Sequence, residues 1–255
     1  MVDQTSGSSA AGSGSAGKAA VMGWIIDAQE DLMRPDGRFY IRDLNDDSDP
    51  GAAEVIPALK TALEWMRENC ALMVFTGGWH GLEDPLIDAL NPDPARGTYP
   101  PHSMGRSPNA SERAGAEVVS EIRPHDPLIL PHDAVVADAE AIAERAIRES
   151  RPVFVRKAGF DVFEGNPGTG AFLRAVSRRI GGDGGPAPRL LVAGVPRDLS
   201  VSHAVSGMNE RGYDVTVLKD TTWGLGLEAE ADTLARWAGE GSVTTLGELG
   251  AGSAE

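Results

Sequence analysis

Three residues of this sequence stand where apolar runs end, and their types could do acid–base and acyl chemistry. Asp27 follows the run 21–26, Lys157 follows 152–156, and Ser200 lies on the turn after 189–195. A carboxylate at the mouth of an apolar strand is partly desolvated, which moves it toward the range of a general base. An ammonium beside it stabilises developing negative charge. A serine in the first turn of a helix would offer its amide to an oxyanion, and the amino end of the helix favours negative charge there. Its hydroxyl holds its proton far more tightly than a thiol would. Each residue also has a plainer reading: Asp27 as a turn cap, Lys157 as a solvated ion-pair partner, Ser200 as a spectator. His80 and His102, with Glu83, Asp84 and Asp88 close behind His80, read as structural histidines.

These residues need a scaffold that brings strand ends together. Apolar runs at 21–26, 71–76, 152–156, 189–195, 213–218 and 243–246 read as six strands. Helical spacing is found at 52–69, 134–148, 170–180, from the turn near 200 to about 211, and at 227–238. His132 and Asp133 are candidate caps for the second of these helices. The stretch 165–170 is rich in glycine but lacks the lysine and spacing of a P-loop, and reads as a loop with a helix start at Thr169. Strands apolar on both faces, alternating with helices, predict an α/β fold: a three-layer α/β/α, Rossmann-like arrangement around a mainly parallel six-stranded sheet. Ligands of such sheets bind beyond the carboxyl ends of the strands, where Asp27, Gly77, Lys157 and the 195–200 turn all fall.

The 255 residues predict one domain at 19–250 behind a Ser/Gly/Ala-rich disordered tail at 1–18. That tail lacks the positive start and apolar core of a signal peptide. A net charge of −15 argues against nucleic acid and anionic membrane as partners. The run 19–26 is too short to span a bilayer. A single cysteine, Cys70, cannot form an intramolecular disulfide, so a cytoplasmic location is expected.

Several segments, in order, resemble the isochorismatase-like cysteine hydrolases, in particular the nicotinamidase branch. They are Asp27-x-Gln29-x-Asp31, Trp79-His80, Pro101-His102, Lys157 with Phe160, the Gly194-Val195 turn, and 213–220. The resemblance implies the isochorismatase-like fold, with Asp27 as general base, Lys157 as its partner and Ser200 in the place of the catalytic cysteine. It implies a cis Val195–Pro196 bond at the oxyanion turn, where Pro196 has no N–H to donate. It implies a pocket walled by Leu32 and Tyr99 near Gln29, and a zinc or iron site that includes His80 and His102, with Gly78 in place of a carboxylate. Ser103 follows His102 where many relatives carry a second cysteine. The implied function is a hydrolase acting on, or binding, a small amide such as a nicotinamide-like compound. Two alternatives follow from the departures: a catalytically silent ligand-binding protein, or a nucleophile-free vinyl-ether hydrolase. Implied partners are a small amide or aromatic acid, and a second copy of the chain, since relatives often self-associate.

Overall fold

The computed structural model describes residues 20–182 and 184–251, so the expected tail at 1–18 lies outside the described residues. Among the described residues seven strands are present: β1 (Val21–Ile26), β2 (Leu72–Gly78), β3 (Leu128–Leu130), β4 (Val153–Lys157), β5 (Arg189–Gly194), β6 (Val215–Thr222) and β7 (Ser242–Thr244). They form one sheet in the order β3-β4-β2-β1-β5-β6-β7, and every neighbouring pair is parallel. The strand beyond the six expected is β3. It has three residues between Pro127 and Pro131, too few to show a period.

Eight α-helices among the described residues complete the layers: α1 (Glu30–Met33), α2 (Ile56–Asn69), α3 (Ala110–Gly115), α4 (Val136–Glu149), α5 (Thr169–Gly181), α6 (Ser202–Glu210), α7 (Glu230–Glu240) and α8 (Leu246–Ala251). Strand alternation divides the core in two. Met22, Trp24 and Ile26 point to the face covered by α4, α5, α6 and α7. Ile25, Met73, Phe75 and Leu191 point to the face covered by α2, through Leu59, Ala62, Leu63 and Met66. Among the described residues no helix is long and apolar enough to cross a membrane.

Three expected boundaries moved for local reasons. His132 and Asp133 do not cap α4; instead the Val135 amide donates to the Asp138 carboxylate at the first turn. α7 begins at Glu230 rather than 227, because the Leu227 amide is held by Asp198 at 2.8 Å. β7 stops at Thr244, where Thr245 and Glu248 exchange hydrogen bonds that start α8.

The register decides what meets at the carboxyl end of the sheet. Ile26 pairs with Gly194, and Gly78 pairs with Lys157. Asp27, Gly78, Lys157 and Val195 therefore emerge side by side from four adjacent strands. Gly194 makes this closeness feasible. Its φ is +129°, and a Cβ there would lie 2.1 Å from the Ile26 carbonyl oxygen.

Candidate active site

Asp27 leaves β1 with φ +48°, in the left-handed region that few non-glycine residues adopt. This turn holds its carboxylate over the end of the sheet. One oxygen accepts from Thr76 Oγ1 at 2.7 Å, and the other lies 2.7 Å from Lys157 Nζ. Both side chains are almost fully buried, 4% and 2% exposed. The plainer readings of Asp27 as a turn cap and Lys157 as a solvated partner therefore do not describe this pair.

Lys157 has three N–H donors. Besides Asp27 they meet the carbonyl oxygens of Gly159 at 2.8 Å and Phe160 at 3.0 Å. Ser200 Oγ is the next nearest partner, 3.5 Å from Nζ. Ser200 belongs to a π-helical turn, Arg197–Val201, that leads into α6. The Val195–Pro196 bond is cis, as the resemblance implies. Pro196 offers no N–H at this turn.

Gln29 is wholly buried and clamps the neighbouring loops. Its amide donates to Gly78 O and Ala116 O, and its oxygen accepts from Gly78 N at 2.8 Å and from Ser103 Oγ at 3.3 Å. Asp31, whose carboxyl is pushed up by burial, accepts from the Ser103 amide at 2.8 Å. That bond anchors Ser103 at φ +46°.

His80 and His102 are brought together, with ring centroids 5.1 Å apart. His80 Nδ1 lies 3.1 Å from Asp84 Oδ2, and the other Asp84 oxygen is paired with Arg106. His102 Nδ1 lies 2.7 Å from the Pro100 carbonyl oxygen. Burial lowers the pKa of both imidazoles, against the Asp84 hydrogen bond at His80, and takes His102 down to about 3.

The residues do not fit a three-ligand metal site. Among the described residues no group of three His, Cys, Asp or Glu side chains could hold an ion. Asp84 is turned to Nδ1 of His80 rather than toward a shared centre. At Gly78, where a carboxylate would stand, an added Cβ would lie 2.6 Å from His80 Nε2. The imidazole thus occupies the notch a larger residue would need.

The space between these groups is narrow, about 20 Å³, enough for one ordered water. Asp27, Lys157 and Ser200 meet it from the sheet, and His80 and His102 from the loop. Leu32 lines it, together with Phe39, Ile41, Phe160 and Leu199. Tyr99 is placed differently. It packs behind this wall, 5.1 Å from the Phe39 ring and 5.2 Å from the Phe160 ring, so Phe39 and Phe160 are the aromatic faces at the cavity. Phe39, Thr76, Leu199 and the Asp84–Arg106 pair escaped the sequence reading of the site. Thr76 alone had a signal, as the last polar residue of an apolar run ending at the sheet edge.

Comparison with solved structures gives the fold. A pyrazinamidase of Pyrococcus horikoshii in complex with zinc superposes with a TM-score of 0.56 at 22% identity, covering 89% of this chain and 99% of that one. An isochorismatase-like hydrolase from Alkaliphilus metalliredigens gives 0.62 at 16% identity, covering 91% and 97%. N-carbamoylsarcosine amidase from Thermoplasma acidophilum gives 0.58 at 18% identity, covering 89% and 96%. The fold is that of the isochorismatase-like hydrolases. By sequence, no family model and no curated protein matches the chain. At these identities the isochorismatase-like likeness speaks for architecture, and the chemistry rests on the residues present.

Proposed function

We propose that the chain hydrolyses small neutral amides, with Ser200 as nucleophile and Asp27 as general base. The observation that carries this reading is the buried Asp27–Lys157 pair, 2.7 Å apart, whose ammonium also reaches Ser200 Oγ at 3.5 Å. Ser200 Oγ attacks the carbonyl carbon of the bound amide, and its proton passes to the Asp27 carboxylate. Lys157 positions that carboxylate. The Ser200 amide is the donor available to the oxyanion. Asp27 returns the proton to the nitrogen as the C–N bond breaks and ammonia or an amine leaves. Water then attacks the Ser200 ester, its proton again going to Asp27. The acid is released as Ser200 Oγ regains a proton. No step runs through zinc or iron.

Amides suit this site better than aromatic acids. Lys157 is the only cation lining the cavity among the described residues, and its three donors are already engaged. Turnover is expected to be slow. Where an oxyanion donor has been removed from a hydrolase, the rate fell about 100- to 1000-fold, and Pro196 removes one here.

Ammonia release from a panel of small amides tests the reading. Ser200→Ala should abolish turnover, Ser200→Cys should raise it, and Asp27→Asn should abolish it. Activity that survives Ser200→Ala but not Asp27→Asn would support the nucleophile-free route instead. The missing Pro196 donor favours one second reading, a silent binding protein. It predicts saturable amide binding with no ammonia from either the native chain or Ser200→Cys.

A further inference from the structure

We infer that His80 and His102 form a pair of hydrogen-bond acceptors that selects amides carrying a second N–H or O–H donor and rejects amides that present a bare ring nitrogen. The inference rests on the amide reading above and names the substrate class of that site. Its basis is the tautomer each ring must hold. His80 Nδ1 faces the Asp84 carboxylate at 3.1 Å, and His102 Nδ1 faces the Pro100 carbonyl at 2.7 Å. Both partners can only accept, so each Nδ1 carries the hydrogen. A neutral imidazole has one N–H, which leaves Nε2 of each ring a bare lone pair. Both rings are buried, His80 3% and His102 4% exposed.

Among the described residues neither Nε2 has a protein partner, and both rings line the cavity that Ser200 and Lys157 line. A third ligand would turn two such lone pairs into a metal site. The notch at Gly78 holds His80 Nε2 itself instead. What remains to satisfy the two nitrogens is the one water the cavity admits or, in its place, a ligand N–H or O–H. A pyridine-type nitrogen would set lone pair against lone pair. A site built to pair with a donor discriminates strongly against an analogue that lacks it, because its own polar atoms are left unpaired.

Calorimetric titration of the full-length Ser200→Ala chain, which lacks the proposed nucleophile, separates the cases. The probes are benzamide, nicotinamide and pyrrole-3-carboxamide, which present a ring C–H, a bare ring nitrogen and a ring N–H. The pyrrole should bind at least about tenfold more tightly than nicotinamide, with or without added zinc chloride. Equal or tighter nicotinamide binding overturns the inference and leaves the amide reading standing. So does a tenfold gain for nicotinamide on adding zinc. Binding of none of the three overturns both.

Discussion

Gly78→Ala adds one methyl group where the structure has no room for it. An ideal Cβ would lie 2.6 Å from His80 Nε2, 3.0 Å from its Cδ2 and 3.2 Å from Ser103 Cβ. The imidazole is not free to swing aside. Asp84 holds Nδ1 at 3.1 Å, and the His80 amide donates to Ser103 O at 2.9 Å. Overpacking of this kind costs about 1–3 kcal/mol. In a domain of this size each kcal/mol lowers Tm by about 2–4 °C, so a fall of about 2–12 °C is expected. Thermal unfolding followed by circular dichroism measures it. A double-mutant cycle isolates the cause: in a His80→Ala background the same methyl group should be nearly neutral, a coupling of at least about 1 kcal/mol. A Gly78→Ala protein that melts with the native chain, and shows no coupling to position 80, would refute the placement of His80 in the notch. By the same geometry Gly78→Asp alone should not create a zinc site, since its Cβ meets the same nitrogen.

Three further outcomes follow from the site. Lys157→Met leaves a buried carboxylate without its partner and should destabilise the chain by about 3–5 kcal/mol in urea unfolding, with much of the loss recovered in Asp27→Asn/Lys157→Met; a loss below about 1 kcal/mol would place the pair in contact with water. His102, at about 3 in the fold against 6.5 ordinarily, binds fewer protons folded than unfolded between those values, so stability falls as pH drops through 6.5. The loss from this group is about 1.4 kcal/mol by pH 5.5, and His102→Gln should remove that part of the slope. Phe39→Ala should raise kcat/KM for bulky amides relative to small ones, because Phe39 walls a cavity of only about 20 Å³; an unchanged ratio would put the limiting wall elsewhere.

The fold was legible because its strands are buried on both faces and read as continuous apolar runs. Position relative to those runs was enough to bring Asp27, Lys157 and Ser200 to one place, since register in a parallel sheet aligns strand ends. What failed was information carried by short or irregular pieces. β3 has three residues and no period. α1 and α3 have four and six; α1 starts at a tertiary contact, the Glu30 amide donating to Glu117 O at 2.9 Å, and α3 at a local cap, the Ser111 amide donating to Asn109 Oδ1 at 3.0 Å. Tyr99 and Phe39 exchanged roles for a similar reason. The loop that carries Tyr99 is pinned by its exchange with Leu86 and Asp88 at 2.8 and 2.9 Å, which sets the ring one layer back. The Asp84–His80 contact spans four residues in a loop, and no periodicity foretells it.

The choice between a working site and a silent pocket turns on what the fold spends stability on. A buried ion pair such as Asp27–Lys157 is often no more stabilising than apolar residues of the same volume, because desolvating both charges offsets their attraction. Stability alone therefore gives little reason to keep it. Backbone strain points the same way. Of the four non-glycine residues with positive φ among the described residues, Ser150 ends α4 and Asp126 sits in an exposed turn, where such angles are ordinary. The other two, Asp27 and Ser103, line the cavity itself. Sparsely populated backbone at buried residues persists only where surrounding contacts enforce it, and here Thr76, Lys157, Gln29 and Asp31 do so. A pocket under no demand would relax on both counts: a single substitution at Lys157 or Asp27 followed by apolar repacking would relieve the pair, and glycine would relieve either turn. The Asp27 carboxylate, on its strained turn, is held against the ammonium that also reaches the Ser200 hydroxyl, and this favours the turnover proposed above over silent binding.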